Sequence, residues 1–351
     1  MSLPPLSTPA LVVDLDVFDA NVAALATLMM GTGKTVRPHV KAHRTPELAK
    51  RQLGGSAVGV TCATVGEAEV MVAAGIGDVL IANEVVDAAK LVRIAELAHH
   101  STVTVAADDP APVQALSVAA AHAGVTIGVL IDVDILLHRC GVVTIPEAVA
   151  LARSIDAAPG LHLAGLMGYE GRVRLGTDRR TERIAGAYRA LTDTRSALLE
   201  AGHQVEVVSA AGTSTLREAI ADPTVTEIQA GVYALMEPEL LAMDLPFRCA
   251  VTVRGTVISR HADHFVVDIG RRVVGVEYGP PVPVDFVAKH IAISDEHSTI
   301  TAPGKPPPLG STVDLIPGQI RTTFNLHDRV WVSRGGELVD CWPVSARGAS
   351  Q

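Results

Sequence analysis

The sequence RPHVKAHRTPE (residues 37–47) joins a β-branched pair, Thr35-Val36, to the start of a helix. Proline suits the first position of a helix and an acidic side chain suits its first turn, so Pro46 and Glu47 predict that a helix begins here. Lys41 is therefore predicted to lie at the carboxyl end of a buried strand, just before a loop. In an α/β barrel this end of the strands carries the chemistry.

The neighbours of Lys41 allow two interpretations of its amine. Nearby cationic groups, here His39, His43 and Arg37, combine with partial burial to make a lysine amine nucleophilic. The alternative is a lysine whose alkyl chain lies on apolar surface while its amine reaches solvent. The stretch alone supports both interpretations about equally.

Short apolar segments alternate with helical patterns through the first two thirds of the chain. Counting the Lys41 strand as the first, seven more strands are predicted at residues 57–62, 78–82, 102–105, 126–132, 162–167, 204–209 and 226–229. Eight strands separated by helices predict an α/β fold, a (β/α)8 TIM-type barrel over residues 15–240. Beyond Pro238, short strands are separated by Gly/Pro-rich turns with no clear helix, which predicts a second, all-β C-terminal domain from residue 241 to 351.

Composition restricts the class of protein. The chain has 351 residues and a net charge of −9 without a basic run, so nucleic acid is not an expected partner. No apolar run has the length of a membrane span, and residues 1–5 lack the features of a signal peptide. Four cysteines without CxxC spacing indicate free thiols, and we expect a cytoplasmic protein. These cysteines are Cys62, Cys140, Cys249 and Cys341.

The extended stretch RPHVKAHRTPELAKRQL (residues 37–53) resembles the pyridoxal-phosphate lysine motif of the D-threonine aldolase and D-serine dehydratase family. These fold-type III enzymes are built like alanine racemase, and the resemblance runs from Thr8 to Val344. It implies that Lys41 carries pyridoxal 5′-phosphate, with His39 among the cofactor-binding residues. It also implies that residues 1–14 join the β-domain and that the protein is a homodimer.

Two loops rich in small residues follow the seventh and eighth predicted strands: SAAGTST (209–215) and QAGVY (229–233). Small residues let backbone amides approach an anion, and barrels commonly hold phosphate in these two loops. Each loop alone is also compatible with an ordinary turn. Both resemble the family's phosphate loops, which assigns Gly212, Thr213, Gly231 and Val232 to the cofactor. Tyr233 is either a further contact or a packed aromatic wall.

Two further motifs resemble family segments at strand ends. Arg139 begins an Arg-x-Gly motif whose arginine faces the pyridine nitrogen, where a guanidinium would keep that nitrogen unprotonated and the ring a weaker electron sink. Leu136 and His138 stand where the family has glycine, which puts its usual substrate pocket in doubt. Tyr169, in GYEG (168–171), is placed beside the cofactor ring or the substrate. The alternatives are a surface ion pair for Arg139 and a packed aromatic for Tyr169.

The segment PGQIRTTFNLHD (317–328) departs from the family, in which a histidine and, two residues on, a cysteine or aspartate bind a divalent metal. The matching positions are Gln319 and Arg321, and neither is a suitable ligand, so no metal is predicted. Arg321 could hold an anionic substrate group or form an internal ion pair. His327 and Asp328 are expected on a strand, where they would point to opposite faces and could not chelate an ion.

The function that follows is a pyridoxal-phosphate-dependent lyase acting on a D-3-hydroxy amino acid, as an aldolase or a dehydratase, without the usual divalent metal. Lys41, Tyr169 and Arg321 are its predicted catalytic residues, and its partner is a small-molecule amino-acid substrate. The alternative is a metal-independent amino-acid racemase or epimerase. A non-catalytic cofactor carrier is a third hypothesis, against which the second domain counts.

Overall fold

The computed structural model describes residues 6–54, 57–171, 173 and 175–351. Residues 1–5, on which the prediction of no signal peptide depends, lie outside this range. The described residues form two compact units. Among these residues, the barrel unit comprises 26–41, 49–54, 57–171, 173, 175–231 and 349–351, and the β unit comprises 6–25, 42–48 and 232–348.

Strands and helices alternate up to residue 228, as the sequence pattern predicts. The strands are β1 Ala10–Asp14, β2 Thr35–Val36, β3 Val60–Cys62, β4 Asp78–Glu84, β5 Thr102–Ala107, β6 Ile127–Asp132, β7 Leu161–Gly168, β8 Val207–Ala210 and β9 Glu227–Ile228. The helices are α1 Leu15–Met29, α2 Pro46–Leu53, α3 Val65–Ala73, α4 Ala88–Leu97, α5 Pro110–Ala123, α6 Ile145–Asp156, α7 Arg180–Glu200 and α8 Leu216–Ala221.

The barrel unit is a parallel sheet that closes on itself. Its strand order is β2-β9-β8-β7-β6-β5-β4-β3. Two parallel bridges, Val36–Ala57 and His39–Thr61, connect the chain at β2 with the chain at β3 and so close the sheet. The predicted barrel is thus confirmed. In this unit, the Arg37 guanidinium pairs with Glu227 at 2.9 Å and with Asp78 at 2.5 Å.

The strand before Lys41 is shorter than predicted. β2 ends at Val36, and Lys41 lies in a 3-10 turn, Val40–Ala42, rather than at a strand end. Pro38 explains the early end, because proline has no N–H to donate to a strand ladder. The helix that follows begins at Pro46, with Glu47 in its first turn, as predicted.

The β unit is built on a nine-stranded sheet in the described residues. It contains β1 together with β10 Val251–Arg260, β11 Phe265–Val267, β12 Val282–Pro283, β13 His290–Ile293, β14 Ser298–Thr301, β15 Thr312–Ile316, β16 Arg329–Arg334 and β17 Glu337–Pro343. In β1, Val12 pairs with Thr252 of β10 and with Trp331 of β16. The N-terminal strand is therefore central in this sheet.

The expectation that this region contains no helix is wrong. Helix α9 spans Ile320–Leu326 and buries Ile320, Thr323 and Phe324. Its first turn is satisfied by side chains, since Gln319 accepts the Thr322 N–H at 2.5 Å and Glu237 accepts the Ile320 N–H at 3.1 Å. Across the described part of the chain, no helix is both long and apolar enough to cross a membrane.

Candidate active site

Lys41 and Tyr169 lie together in the barrel unit. The Lys41 amine is 5.9 Å from the centroid of the Tyr169 ring, and Tyr169 directly follows the carboxyl end of β7. Lys41 itself is half-buried. The two residues come from segments 128 positions apart in the chain, and the closed sheet brings their side chains to the same end of the barrel.

The turn after β8 joins this pair. We call Ala211–Thr215 the phosphate turn: Gly212 is extended, and Thr213–Thr215 forms one turn of 3-10 helix. A Cβ added to Gly212 would lie 3.5 Å from the Tyr169 ring, so the turn packs against the aromatic side chain that faces Lys41. The structure thus places three predicted site residues side by side.

Thr213 supplies the test of whether this turn suits a phosphate. Its side chain is only 5% exposed, and among the described residues its hydroxyl has no hydrogen-bond partner. Buried hydroxyls are nearly always paired, because an unpaired one loses its hydration without compensation. A phosphate oxygen is an acceptor that would satisfy it, so the turn fits the phosphate group of pyridoxal phosphate.

Gly231 and His39 meet at the next loop of the barrel unit. A Cβ at Gly231 would lie 2.2 Å from the His39 carbonyl oxygen, which no other residue type could accommodate. The requirement for glycine is thus steric, while its contact with a cofactor stays a prediction. In the β unit, Val232 and Tyr233 are buried in a 3-10 turn, and the Tyr233 ring lies 5.5 Å from that of Phe247. That contact corresponds to the packed aromatic wall.

Arg139 lies on the exposed segment after β6, near a group of acidic side chains. Burial, together with the nearby Glu84 and Asp108, raises the pKa of Asp132 to about 8, although the Arg139 guanidinium opposes this shift. Gly141 completes the motif with φ +102°, and its N–H donates to Asp108 at 2.9 Å. The contact of Arg139 with a pyridine nitrogen remains a prediction.

The acidic group was missed by sequence reasoning. Glu84 ends β4, Asp108 follows β5 and Asp132 ends β6, so all three lie at carboxyl ends of neighbouring strands. That position was the available signal, because parallel strands bring their carboxyl ends to one edge. The sequence does not reveal the burial of Asp132, which is the main cause of its raised pKa.

In the β unit, the segment around α9 does not fit a divalent cation. The Gln319 side-chain oxygen is already an acceptor for the Thr322 N–H, and arginine offers no lone pair. The Arg321 guanidinium lies 3.6 Å from Glu237, which is fully buried, and 5.4 Å from the Tyr278 ring centroid. Within the described ranges, no group of three His, Cys, Asp or Glu residues could hold a metal ion.

The positions of His327 and Asp328 differ from the predicted strand. His327 caps the end of α9, with its Nε2 2.8 Å from the Val273 carbonyl oxygen, and β16 begins only at Arg329. Asp328 pairs with Arg347 at 2.5 Å. The two residues lie between a helix and a strand, so the argument from alternating strand faces does not apply to them. Both side chains are engaged within the protein.

Comparison with known proteins gives consistent matches along the chain. The family model described as alanine racemase, N-terminal domain, matches residues 13–237, and that of a putative serine dehydratase domain matches residues 250–333. The chain is 37% identical to D-threonine aldolase of Arthrobacter sp., covering 99% of this chain and 94% of the relative. It is 32% identical to 3-hydroxy-D-aspartate aldolase of Paracoccus denitrificans, covering 98% and 92%.

A solved structure agrees with these matches. The crystal structure of D-threonine aldolase from Filomicrobium marinum superposes with a TM-score of 0.95 at 37% identity, covering 99% of this chain and 97% of that one. These relatives are pyridoxal-phosphate-dependent lyases of the alanine racemase fold.

Proposed function

Because this chain belongs to the alanine racemase N-terminal domain family, we propose that it is a pyridoxal-phosphate-dependent lyase acting on D-3-hydroxy amino acids. The observation that carries the proposal is the grouping of the Lys41 amine, the Tyr169 ring and a turn in which the buried Thr213 hydroxyl has no partner among the described residues. The cofactor needs an amine to hold it, an aromatic face beside it and a hydrogen-bond donor to its phosphate group.

We assign the residues of the barrel unit as follows. The Lys41 amine would hold the cofactor covalently, and the Thr213 hydroxyl with the amides of the phosphate turn would donate to its phosphate. The tight approach of Gly231 to His39 brings a second backbone segment close to that end of the barrel. The Tyr169 ring would cover one side of the Lys41 amine and limit the access of water to it.

Bound pyridoxal phosphate takes up the electron pair that is left at the α-carbon when a bond to that carbon breaks. The contribution of Lys41 is to release the cofactor to the substrate amine and then to accept or return a proton at the α-carbon. Cleavage between the α- and β-carbons yields an amino acid and an aldehyde, whereas loss of the β-hydroxyl yields a keto acid and ammonia. Both outcomes belong to the proposed class.

We propose that the activity does not depend on a divalent ion at Gln319 and Arg321. Arg321 retains guanidinium donors beyond its 3.6 Å contact with Glu237, and guanidinium groups bind carboxylates in a bidentate manner. The relative that is a 3-hydroxy-D-aspartate aldolase has, by its name, a substrate with a second carboxylate. Arg321 is therefore our candidate for binding an anionic substrate group.

The finer assignments are proposals too. We propose domains over residues 15–240 and over 1–14 plus 241–351, a cytoplasmic location and a homodimer. The four cysteines, all unpaired thiols, support a reducing compartment. The central place of β1 in the sheet of the β unit supports grouping the N-terminus with the C-terminal residues.

A panel of D- and L-3-hydroxy amino acids, with product identification, tests the proposal. We expect D-threonine or 3-hydroxy-D-aspartate to give an aldehyde or a keto acid, and Lys41→Ala to give neither. Assays run with Mn²⁺ and with a chelator should give the same products. If the main product is the mirror-image amino acid, the protein is a racemase. If no amino acid turns over, the lyase proposal is wrong.

A further inference from the structure

A buried acid lies directly behind the phosphate turn. Glu170 follows Tyr169 in the chain and is 2% exposed. Its Oε1 accepts a hydrogen bond from the Thr215 hydroxyl, and the backbone amides of Ala211 and Gly212 favour its ionised form. These three donors all belong to the phosphate turn. The Glu170 carboxylate is therefore a common acceptor for several groups of this turn.

The phosphate turn has a conformation that needs support. Ala211 has φ +71°, in the left-handed region that is unfavourable for a residue with a Cβ. The Gly212 N–H donates to the Thr215 hydroxyl oxygen at 3.3 Å, so Thr215 links Glu170 to the start of the turn. On the other side, Arg180 donates to the Ser214 carbonyl at 2.6 Å. The turn is thus held from two sides while the Thr213 hydroxyl is left unsatisfied.

Glu170 is also a buried titratable group. Its Oε2 atom is buried and has no hydrogen-bond partner in the described part of the chain. Burial raises the pKa of Glu170 to about 7, even though the Thr215 hydroxyl opposes the shift. The buried Tyr188 hydroxyl is a further titratable group close to it.

We propose that Glu170 is a positioning residue for the phosphate group of the cofactor: it holds Ala211, Gly212 and Thr215 so that the Thr213 hydroxyl can donate to the phosphate. This inference rests on the proposed pyridoxal-phosphate site. It predicts that Glu170 affects ligands that carry a phosphate and has little effect on ligands that do not.

The experiment compares pyridoxal phosphate with pyridoxal, which lacks the phosphate, on the full-length protein. Glu170→Ala should weaken binding of pyridoxal phosphate by about tenfold or more, the scale of losing one or two buried hydrogen bonds, and change pyridoxal binding by less than about twofold. Glu170→Gln, which keeps an acceptor oxygen in a neutral group, should restore most of the affinity. The ³¹P resonance of the bound cofactor should shift in Glu170→Ala and return in Glu170→Gln.

Glu67→Gln is the matched control, because Glu67 is equally buried but accepts the Ala63 N–H at 2.7 Å near the start of α3. It should leave the ratio of the two affinities unchanged. If Glu170→Ala does not fold, Thr215→Val removes the hydroxyl that donates to Glu170 and should change the ratio in the same direction.

The outcomes separate this inference from the proposed function. Suppose that wild-type protein binds pyridoxal phosphate, but the variants reduce the affinity for both ligands equally or change neither affinity. Glu170 is then not a positioning residue, and the proposed site stands. If wild-type protein binds no pyridoxal phosphate, both are wrong.

Discussion

At the scale of single residues, the Lys41 amine is the group whose chemistry can be tested most directly. Borohydride reduction of the holoenzyme should fix the cofactor on Lys41, because its amine lies beside the Tyr169 ring and that ring packs on the phosphate turn. Peptide mapping by mass spectrometry would locate the adduct. Lys41→Ala should lose both the trapped cofactor and the visible absorbance of the bound form.

Lys34 provides the control for this experiment. Its amine donates to the Val225 carbonyl at 2.6 Å and also to the Asp222 carbonyl, and is therefore already engaged. The Lys34→Ala variant should still trap the cofactor, although the folded protein should be less stable. A reduced adduct on any lysine other than Lys41 would contradict the assignment.

Asp132 gives a prediction about pH. Burial, with Glu84 next, raises the pKa of Asp132 from 3.8 to about 8 in the folded protein. Between about pH 4 and pH 8 the folded state therefore keeps a proton that the unfolded state has lost. The stabilisation from this proton is complete below pH 4 and is lost as the pH rises to 8. Asp132→Asn stays neutral, so its melting temperature relative to wild type should increase from pH 4.5 to pH 8.

Asp134→Asn should show the opposite trend. Burial alone would raise the pKa of Asp134, but hydrogen bonds from His138 outweigh it and lower this pKa below its usual value. Its ionised form therefore stabilises the protein above about pH 4, and this stabilisation is lost as the pH falls below that value, so the variant should lose more stability at about pH 6 than at about pH 2.5. Two variants that change in parallel with pH would show that the shift at Asp132 is not specific to its burial.

The residues that the sequence did predict share one property. Lys41, Tyr169 and Thr213 each follow a predicted strand, so counting strands was enough to place them at one end of the barrel. Asp132 ends a strand and Glu170 follows one closely, but the importance of Asp132 depends on its burial, and that of Glu170 on burial and on Thr215, 45 positions away from it. No local pattern carries that information.

At the scale of secondary structure, the errors have local causes. Helix α9 has seven residues, which is too short for a helical period to be evident, and it is completed by Glu237 from 83 positions earlier in the chain. β2 ends early because Pro38 cannot donate to the ladder. The longer elements were predicted to within a few residues, since alternating apolar strands and helices are a strong signal over this length.

The segment Gln319–Arg321 at the start of α9 predicts independence from divalent metal. An arginine charge opposes a cation a few ångströms away by about 4 kcal/mol per unit charge at intermediate effective dielectric, and Gln319 is engaged as the cap of α9. The purified enzyme should contain no stoichiometric metal by elemental analysis, and its activity should survive a chelator. Arg321→Ala should weaken binding of anionic substrates more than that of neutral ones.

A gain-of-function variant makes this test sharper. Gln319→His combined with Arg321→Asp introduces the ligand types that the family resemblance implies for these positions. The double variant should bind Mn²⁺ or Zn²⁺ in a direct titration, whereas wild type should not. Stoichiometric metal in the wild-type protein, with activity abolished by chelation, is the outcome that overturns the prediction.

At the scale of the whole molecule, the barrel follows from repetition. Eight apolar segments with helices between them leave few arrangements other than a closed parallel sheet, and an arrangement of this kind can be predicted without knowledge of individual contacts. The β unit was less predictable in its interior, because its strands pair across long stretches of sequence, as β1 does with β16.

The protein should be a homodimer in solution. Lys41 is half-buried and Arg139 is exposed in the single chain, so solvent reaches the barrel residues that we assign to the cofactor. Exclusion of water strengthens the electrostatic interactions on which such chemistry depends, and a second subunit could provide it. Sedimentation equilibrium should give twice the chain mass at micromolar concentration. A monomer under these conditions would contradict the prediction.

Mixing two variants, each impaired toward an anionic substrate, tests whether each site uses both subunits. We predict that the β-domain of one subunit closes the barrel of the other, so Lys41 and Arg321 of one site would come from different chains. Unfolding and refolding Lys41→Ala together with Arg321→Ala should then give mixed dimers with one fully wild-type site, and about a quarter of wild-type activity toward an anionic substrate if subunits assort at random. Each variant refolded alone is the control: Lys41→Ala should be inactive, and Arg321→Ala should show little activity at a low concentration of that substrate. If both residues of a site come from the same chain, every site in the mixture carries one substitution, and activity will not recover.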